Sequence, residues 1–148
     1  TILSRLVTAL RVLVPQVERC GTSDLALHAH PNTAWHDAES RNEVALKKFS
    51  GNSLRCRRRH LLYHGTLLYD FDLSLAERFL AHPPREPHYR GGRRHSDFIT
   101  NLPTTSAQLR SSIAAAWEAK ERAASWPSQH TAQLVADKYE HLDWNTPG

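Results

Sequence analysis

Two neighbouring segments with strand-like patterns are each interrupted by a glycine and by polar residues. The first is Lys47-Lys48-Phe49-Ser50-Gly51-Asn52-Ser53, and the second, after a short basic turn, is Tyr63-His64-Gly65-Thr66-Leu67-Leu68. Glycine weakens a strand unless another group must approach its backbone closely. Because one segment carries lysines and the other a His-Gly-Thr, the pair predicts a pocket that holds an anionic, planar or extended ligand against a sheet.

Length and composition favour one soluble globular domain. The chain has 148 residues, of which 40% are apolar and 23% charged. No apolar run approaches the roughly 18 residues needed to cross a bilayer. Cys20 and Cys56 are too few for a disulfide framework, which favours a reducing, cytoplasmic setting. The net charge of +4 favours an acidic partner. No nucleic-acid-binding motif is present, so we do not expect that partner to be a nucleic acid. We do not expect it to be a membrane either.

Hydrophobic periodicity predicts an α/β fold, with an antiparallel or mixed sheet flanked by helices. An amphipathic helix opens the chain and ends at Pro15. The expected strands cover residues 17–20, 24–27, 45–54 and 60–69. Residues 28–42 contain proline, asparagine and several other polar residues, and they predict an exposed loop.

Three further helices are expected after the strands. Leu75, Phe79 and Leu80 would face inward from the first, which Asp72 or Ser74 can cap. The second would cover residues 106–124 and the third residues 131–139. Four aromatic residues are expected to pack in the core, namely Trp117, Trp126, Tyr139 and Trp144.

Five short segments, taken in order along the chain, resemble motifs of the lipoate–protein ligase family, which belongs to the biotin/lipoate ligase superfamily. They are Asp24-Leu25, Lys48-Phe49-Ser50-Gly51-Asn52, His64-Gly65-Thr66-Leu67-Leu68, Arg94-His95 to Thr100-Asn101-Leu102, and Lys138-Tyr139 to Asp143-Trp144-Asn145. The resemblance implies that residues 1–148 are the carboxy-terminal portion of a ligase-type catalytic domain. The family's glycine-rich segment would precede Thr1, and the absence of methionine agrees with a piece of a longer chain. We therefore expect the chain alone to be weakly active or inactive.

The resemblance also implies a reaction and a set of site residues. ATP, with magnesium, would activate lipoate as lipoyl-AMP, and a lysine of an acidic lipoyl-carrier domain would then accept the acyl group. Lys48 is the implied catalytic residue, because an ammonium can bridge a carboxyl oxygen and the α-phosphate. The implied substrate- and adenylate-binding residues are Asp24, Ser50, Gly51, Asn52, His64, Gly65 and Thr66. The pattern does not separate lipoate from octanoate or biotin.

Simpler interpretations stand beside these predictions. Most lysines are solvated, and strand alternation sends Lys47 and Lys48 to opposite faces, so at most one of them faces a pocket. The arginine cluster at residues 55–60 is typical of a solvated hairpin turn, which would also suit an acidic carrier.

Two other functions stay open. One is an octanoyl or lipoyl acyltransferase of the same fold, which needs a positioned cysteine; the other is a catalytically silent binding module.

Overall fold

The computed structural model describes residues 1–28 and 46–146. It divides the chain into two compact units, Thr1–Glu118 and Ala119–Gly148. His28 is the last residue of a strand, and the rest of the loop predicted at residues 28–42 lies outside the described residues. No helix in the described ranges is long and apolar enough to cross a membrane.

The first unit is built around a four-stranded antiparallel sheet in the order β1-β2-β3-β4. Its strands are β1 (Val17–Cys20), β2 (Asp24–His28), β3 (Leu46–Cys56) and β4 (Leu61–Leu67). Its helices are α1 (Ile2–Arg11), α2 (Ser74–Phe79), α3 (His95–Phe98) and α4 (Ser106–Ala116), with a 3₁₀ turn at His88–Arg90. The architecture confirms the predicted α/β class and resolves its open choice in favour of an antiparallel sheet.

The hydrophobic core lies between one face of this sheet and the helices α1 and α4. The apolar stripe of α1 is buried there, and Ser112 Oγ of α4 donates a hydrogen bond to the carbonyl of Ala9 at 2.6 Å. From the sheet, Leu25 and Phe49 reach zero exposure in the same cluster. Burying side chains of this size stabilises the fold by about 1.5–3 kcal/mol each. The core therefore fixes the middle strands on which the predicted site residues lie.

Helix α4 is shorter than the 106–124 predicted for it. Thr105 and Gln108 form a reciprocal capping box at its start. At its other end Glu118 has a φ of 53°, a left-handed conformation that stops the helix. Residues 119–124 favour helix by propensity, but they include no large apolar side chain to bury. Trp117, the last aromatic before the break, packs against the core as expected.

The inward orientation predicted for α2 is wrong. Leu75, Phe79 and Leu80 are 36%, 68% and 59% exposed, and Ala76 is the buried residue of this helix. The helix packs against the short α3 and not against the main core, so its apolar side chains border an open groove. Periodicity marked the apolar face correctly, but it could not show whether another element covers that face.

The second unit consists of α5 (Ser128–Leu134), a π-helical turn (Val135–Tyr139) and α6 (Leu142–Asn145). The core positions predicted for three aromatic residues in this part are wrong, because all three are exposed; they are Trp126, Tyr139 and Trp144. Lys138 Nζ lies 4.1 Å from the ring centroid of Trp144, and the rings of Tyr139 and Trp144 meet edge to face. Tyr139, Trp144 and Lys138 form a local surface cluster.

Candidate functional site

A β-bulge in β3 decides which side chains share a face of the sheet. Leu25 lies opposite Ser50, but the next residue of β2, Ala26, lies opposite Lys48, so Phe49 is an extra residue in β3. A bulge of this kind leaves one residue of the longer strand unpaired and bends that strand. Without it, Lys48 and Gly51 would face opposite sides, because they are three residues apart.

The bulge places Lys48 and Gly51 on the face of the sheet opposite the core. We call this side the lysine face and define it by Asp24, Lys48, Gly51 and Thr66. Asp24 lies opposite Gly51 in β2, and Thr66 lies opposite Gly51 in β4. His64 is two residues before Thr66, so alternation puts it on the same face. The lysine and the His-Gly-Thr segment therefore contribute side chains to one face of the sheet, and the ligand pocket predicted between them stays a prediction.

Lys48 is held by an ion pair with Asp24 above the backbone of Gly51. Its Nζ is 2.8 Å from Asp24 Oδ1, and the two side chains are 29% and 12% exposed. A Cβ added at Gly51 would lie 3.3 Å from Lys48 Nζ. The missing side chain of Gly51 therefore makes room for the ammonium itself. Since an ammonium has three hydrogens, two remain for an anionic ligand after Asp24 has taken one.

Tyr89 completes this arrangement from a distant part of the chain. Its hydroxyl donates a hydrogen bond to Asp24 Oδ2 at 2.9 Å. Burial, followed by the negative charge of Asp24, raises the pKa of the Tyr89 phenol far above its ordinary value. The residue was missed in the sequence, where only its place between Pro87 and Gly91-Gly92 stands out. That pattern predicts a turn and says nothing about a contact with Asp24.

Ser50 and Asn52 face the core side and stabilise the site's framework. The Asn52 amide nitrogen Nδ2 donates to the carbonyl of Ser23 at 2.8 Å and to Ser50 Oγ at 3.0 Å. Its Oδ1 accepts a hydrogen bond from the hydroxyl of Tyr63 at 2.9 Å. Because Ser23 precedes Asp24, these bonds fix the start of β2 against β3 and β4. The two residues thus hold the strand that presents Asp24.

Gly65 provides the space that the Asn52 side chain occupies. A Cβ at Gly65 would collide with Asn52 Oδ1 and would lie 2.8 Å from the carbonyl oxygen of Gly51. Its neighbours His64 and Thr66 are exposed on the lysine face. The His-Gly-Thr segment therefore combines two side chains on an open surface with a glycine required by packing on the other side.

The two cysteines of the chain differ in exposure and position. Cys20 lies opposite Asp24 and is buried. Burial first, and then the charges of Glu18 and Asp24, raise the pKa of its thiol. Cys56 is exposed at the far end of β3, eight residues from Lys48, which corresponds to about 26 Å of extended strand. A buried thiol that keeps its proton and a distant one are both poor nucleophiles for chemistry at Lys48.

An apolar groove of about 410 Å³ lies beside the site, between the end of β4 and helices α2 and α3. It is lined by Leu68, Phe71, Leu75, Ala76, Phe79, Leu80, His95 and Ile99. Ile99 bridges to Lys48 through the backbone, and the amide of Thr100 donates to the Lys48 carbonyl at 2.9 Å. The groove therefore lies next to the strand that carries Lys48, but neither Lys48 nor His64 lines it.

The described residues do not form a magnesium site of their own. They contain no group of three or more His, Cys, Asp or Glu residues that could hold a metal ion. Both carboxylate oxygens of Asp24 already have partners, Lys48 and Tyr89. The magnesium implied by the sequence resemblance therefore stays a prediction.

Residues 1–117 match the lipoyl protein ligase A/B catalytic domain family. The chain belongs to this family. The match covers nearly the whole first unit and confirms the resemblance carried by the Lys48 and His64 segments. The segment at residues 138–145, which was also quoted for the resemblance, lies beyond the matched residues. Among curated proteins, none matches the sequence significantly.

Solved lipoate ligases have the same fold. A bi-partite lipoate protein ligase from the archaeal lipoylation system of Thermoplasma acidophilum superposes with a TM-score of 0.67 at 16% identity, covering 97% of this chain and 55% of that one. Lipoate-protein ligase A bound with ATP gives a TM-score of 0.61 at 15% identity, covering 95% and 55%. A T. acidophilum protein assigned as a lipoate protein ligase, with bound lipoic acid, gives 0.53 at 15%, covering 95% and 54%. The chain thus spans about half the length of these structures.

Proposed function

We propose that this chain forms part of an ATP-dependent lipoate–protein ligase and that Lys48 is its catalytic lysine. The observation that carries the proposal is the ammonium of Lys48, which Asp24 holds over Gly51 in a lipoyl ligase-family domain. A fixed positive charge at this place suits a reaction in which negative charge develops on carboxylate and phosphate oxygens. The solved relatives with ATP and with lipoic acid bound support the same pair of ligands.

The proposed first step joins lipoate, or octanoate, to AMP. A carboxylate oxygen attacks the α-phosphorus of ATP, the bond to the bridging oxygen breaks, and pyrophosphate leaves with the electron pair. The two remaining hydrogens of Lys48 stabilise the negative charge shared by the carboxyl and α-phosphate oxygens. Gly51, His64 and Thr66 would line this surface, with Gly51 leaving the ammonium free to approach the ligand. Asp24 would hold the ammonium of Lys48, and Ser50, Asn52 and Gly65 would hold the strands in place.

The proposed second step transfers the acyl group to a carrier protein. The neutral amine of a carrier lysine attacks the acyl carbon, the bond to the phosphate oxygen breaks, AMP leaves, and the amine loses a proton. We propose that the carrier is acidic and meets the turn between β3 and β4. Four exposed arginines lie at this turn, Arg55, Arg57, Arg58 and Arg59. The turn is closed by a hydrogen bond from the amide of Arg57 to the carbonyl of His60.

The cysteines do not favour the alternative acyltransferase. Such an enzyme forms a thioester on a cysteine beside the acyl-binding surface. Cys20 lies on that side of the sheet but is buried with a raised pKa, and Cys56 is at the far end of β3. The proposed function therefore keeps ATP activation as the source of the reactive acyl group.

The test is ATP–pyrophosphate exchange in the natural polypeptide that contains this chain, with lipoate and octanoate compared. Exchange should depend on the acid and fall by about a hundredfold to a thousandfold in Lys48→Ala. Lys47→Ala, the adjacent lysine on the opposite face, should change little. Equal losses in both variants, or exchange without the acid, would contradict the proposal. For the carrier step, replacing Arg57 and Arg58 by Glu should slow acyl transfer and leave exchange unchanged.

A further inference from the structure

The carboxylate of Asp24 is held by two different residues, one on each oxygen. Lys48 Nζ contacts Oδ1 at 2.8 Å, and the Tyr89 hydroxyl donates to Oδ2 at 2.9 Å. The terminal side-chain torsion of an aspartate has a broad energy minimum, so its carboxylate turns easily when nothing holds it. The bond from Tyr89 removes that freedom, because rotation of the carboxylate would break it. The position of the ammonium thus depends on a residue that does not touch it.

Tyr89 is itself held firmly. It lies in the 3₁₀ turn His88–Arg90, which is followed by Gly91 with a left-handed φ of 58°. One nitrogen of Arg93 donates to the carbonyl of Tyr89 at 2.8 Å and to the carbonyl of Leu46, at the start of β3, at 2.9 Å. The Tyr89 ring also packs against Phe98, with the ring centroids 5.3 Å apart. These contacts connect the turn to the strand that carries Lys48.

We propose that Tyr89 is a positioning residue of this site, which fixes Asp24 so that the Lys48 ammonium stays over Gly51. Its catalytic consequence rests on the proposed ligase function, whereas the positioning itself can be tested without any substrate. Burial and the negative charge of Asp24 raise the pKa of the phenol above its ordinary value, so Tyr89 stays a donor into alkaline pH. Hydrogen bonds to charged groups are stronger than those between neutral groups, so this bond can select one orientation of the carboxylate.

Tyr89→Phe removes the hydroxyl and keeps the ring that packs against Phe98. The matched control is Tyr63→Phe, because Tyr63 also donates one part-buried hydrogen bond, at the same length of 2.9 Å, but to Asn52 on the core side. Asp24→Asn serves as the reference for a lysine that has lost its ion pair. A further variant, Phe98→Leu, loosens the packing around Tyr89 without removing its hydroxyl.

The substrate-free test measures how fast trace acetic anhydride acetylates individual lysines, read out by peptide mass spectrometry. In Tyr89→Phe, acetylation of Lys48 should rise several-fold towards its value in Asp24→Asn, while Lys47 keeps its rate. Tyr63→Phe should change Lys48 much less than Tyr89→Phe does, because the bonds from Asn52 to Ser23 and Ser50 still hold the start of β2. An unchanged Lys48 in Tyr89→Phe would overturn the proposal. A rise shared equally by Lys47, or matched in full by Phe98→Leu, would show general loosening and would also overturn it.

The enzymatic test separates positioning from substrate binding. Tyr89→Phe should lower kcat for acid-dependent exchange by about tenfold and leave the KM for lipoate nearly unchanged. A raised KM with full kcat would contradict a positioning role. If the unmodified enzyme shows no acid-dependent exchange, the ligase proposal fails, and the acetylation of Lys48 still decides the role of Tyr89.

Discussion

Gly51 and Gly65 lie on paired strands, but the positions of their missing side chains face opposite sides of the sheet. A different side chain fills each of these two spaces. Above Gly51 lies the end of the Lys48 side chain, and beside Gly65 lies the side chain of Asn52. Lys48 reaches the open surface of the sheet, whereas Asn52 joins three strands on the core side through four hydrogen bonds, one of them from its backbone amide. The difference teaches that one glycine serves the chemistry of the surface and the other serves its framework.

The largest effect expected from this comparison is on stability, at Gly65. In Gly65→Ala the new methyl group would meet the Asn52 side chain and the carbonyl of Gly51, and neither can move without breaking sheet contacts. Overpacking of this kind costs about 1–3 kcal/mol. Urea unfolding of the natural polypeptide should show it. Adding Asn52→Ala should make the Gly65→Ala change less costly, and fully additive losses would mean that the two residues do not share this space.

Gly51→Ala should affect the rate more than the stability. The methyl group would press on the flexible end of Lys48, which can shift, and the alanine also reduces the entropy of the unfolded chain. We expect the free energy of unfolding to change by less than about 1 kcal/mol. Exchange should slow by about tenfold to a hundredfold, because a small displacement of a catalytic group is costly. A large loss of stability with full activity would reverse the roles assigned to the two glycines.

The smallest effect concerns the two tyrosines and the pH dependence of stability. Burial raises the pKa of Tyr63, and burial together with Asp24 raises the pKa of Tyr89 further. In the unfolded chain both phenols lose their protons near pH 10. The folded state holds these protons more tightly than the unfolded chain does. Their contribution to the free energy of unfolding is therefore fully present below about pH 10 and declines as the pH rises above that value. Urea midpoints at pH 8 and above 10 should show a weaker decline in Tyr89→Phe than in Tyr63→Phe; the opposite order would contradict the stronger coupling of Tyr89 to Asp24.

Local pattern was sufficient to predict the strands and the hairpin that carry the site. The two glycine-interrupted segments are on paired strands because a short turn joins them, and Lys47 and Lys48 face opposite sides because side chains alternate along a strand. The shared face of Lys48 and Gly51 did not follow from alternation, since it requires the bulge at Phe49, which exists only in the pairing of β3 with β2. The roles of individual site residues in catalysis remain predictions.

Contacts across long stretches of sequence account for the rest. Tyr89 is 65 residues from Asp24, and no local signal connects them. The apolar face of α2 was recognised, but its burial depends on what packs against it, and in the first unit it borders the groove. Trp126 and Trp144 were assigned to the core by residue type alone, and type does not report the position of a short terminal segment.

Because Phe49 is an extra residue in β3, the number of residues between Lys48 and Gly51 decides whether the two share a face of the sheet. A lysine and a glycine three positions apart act here as though separated by an even number, because the bulge absorbs one of the residues between them. An insertion before Gly51 would move the vacant position away from the ammonium, whereas deleting Phe49 would remove only the extra residue and leave Lys48 opposite Ala26 and Gly51 opposite Asp24, with the loss of a fully buried core side chain. The face shared by these two residues therefore survives the loss of the bulge but not a further residue between them.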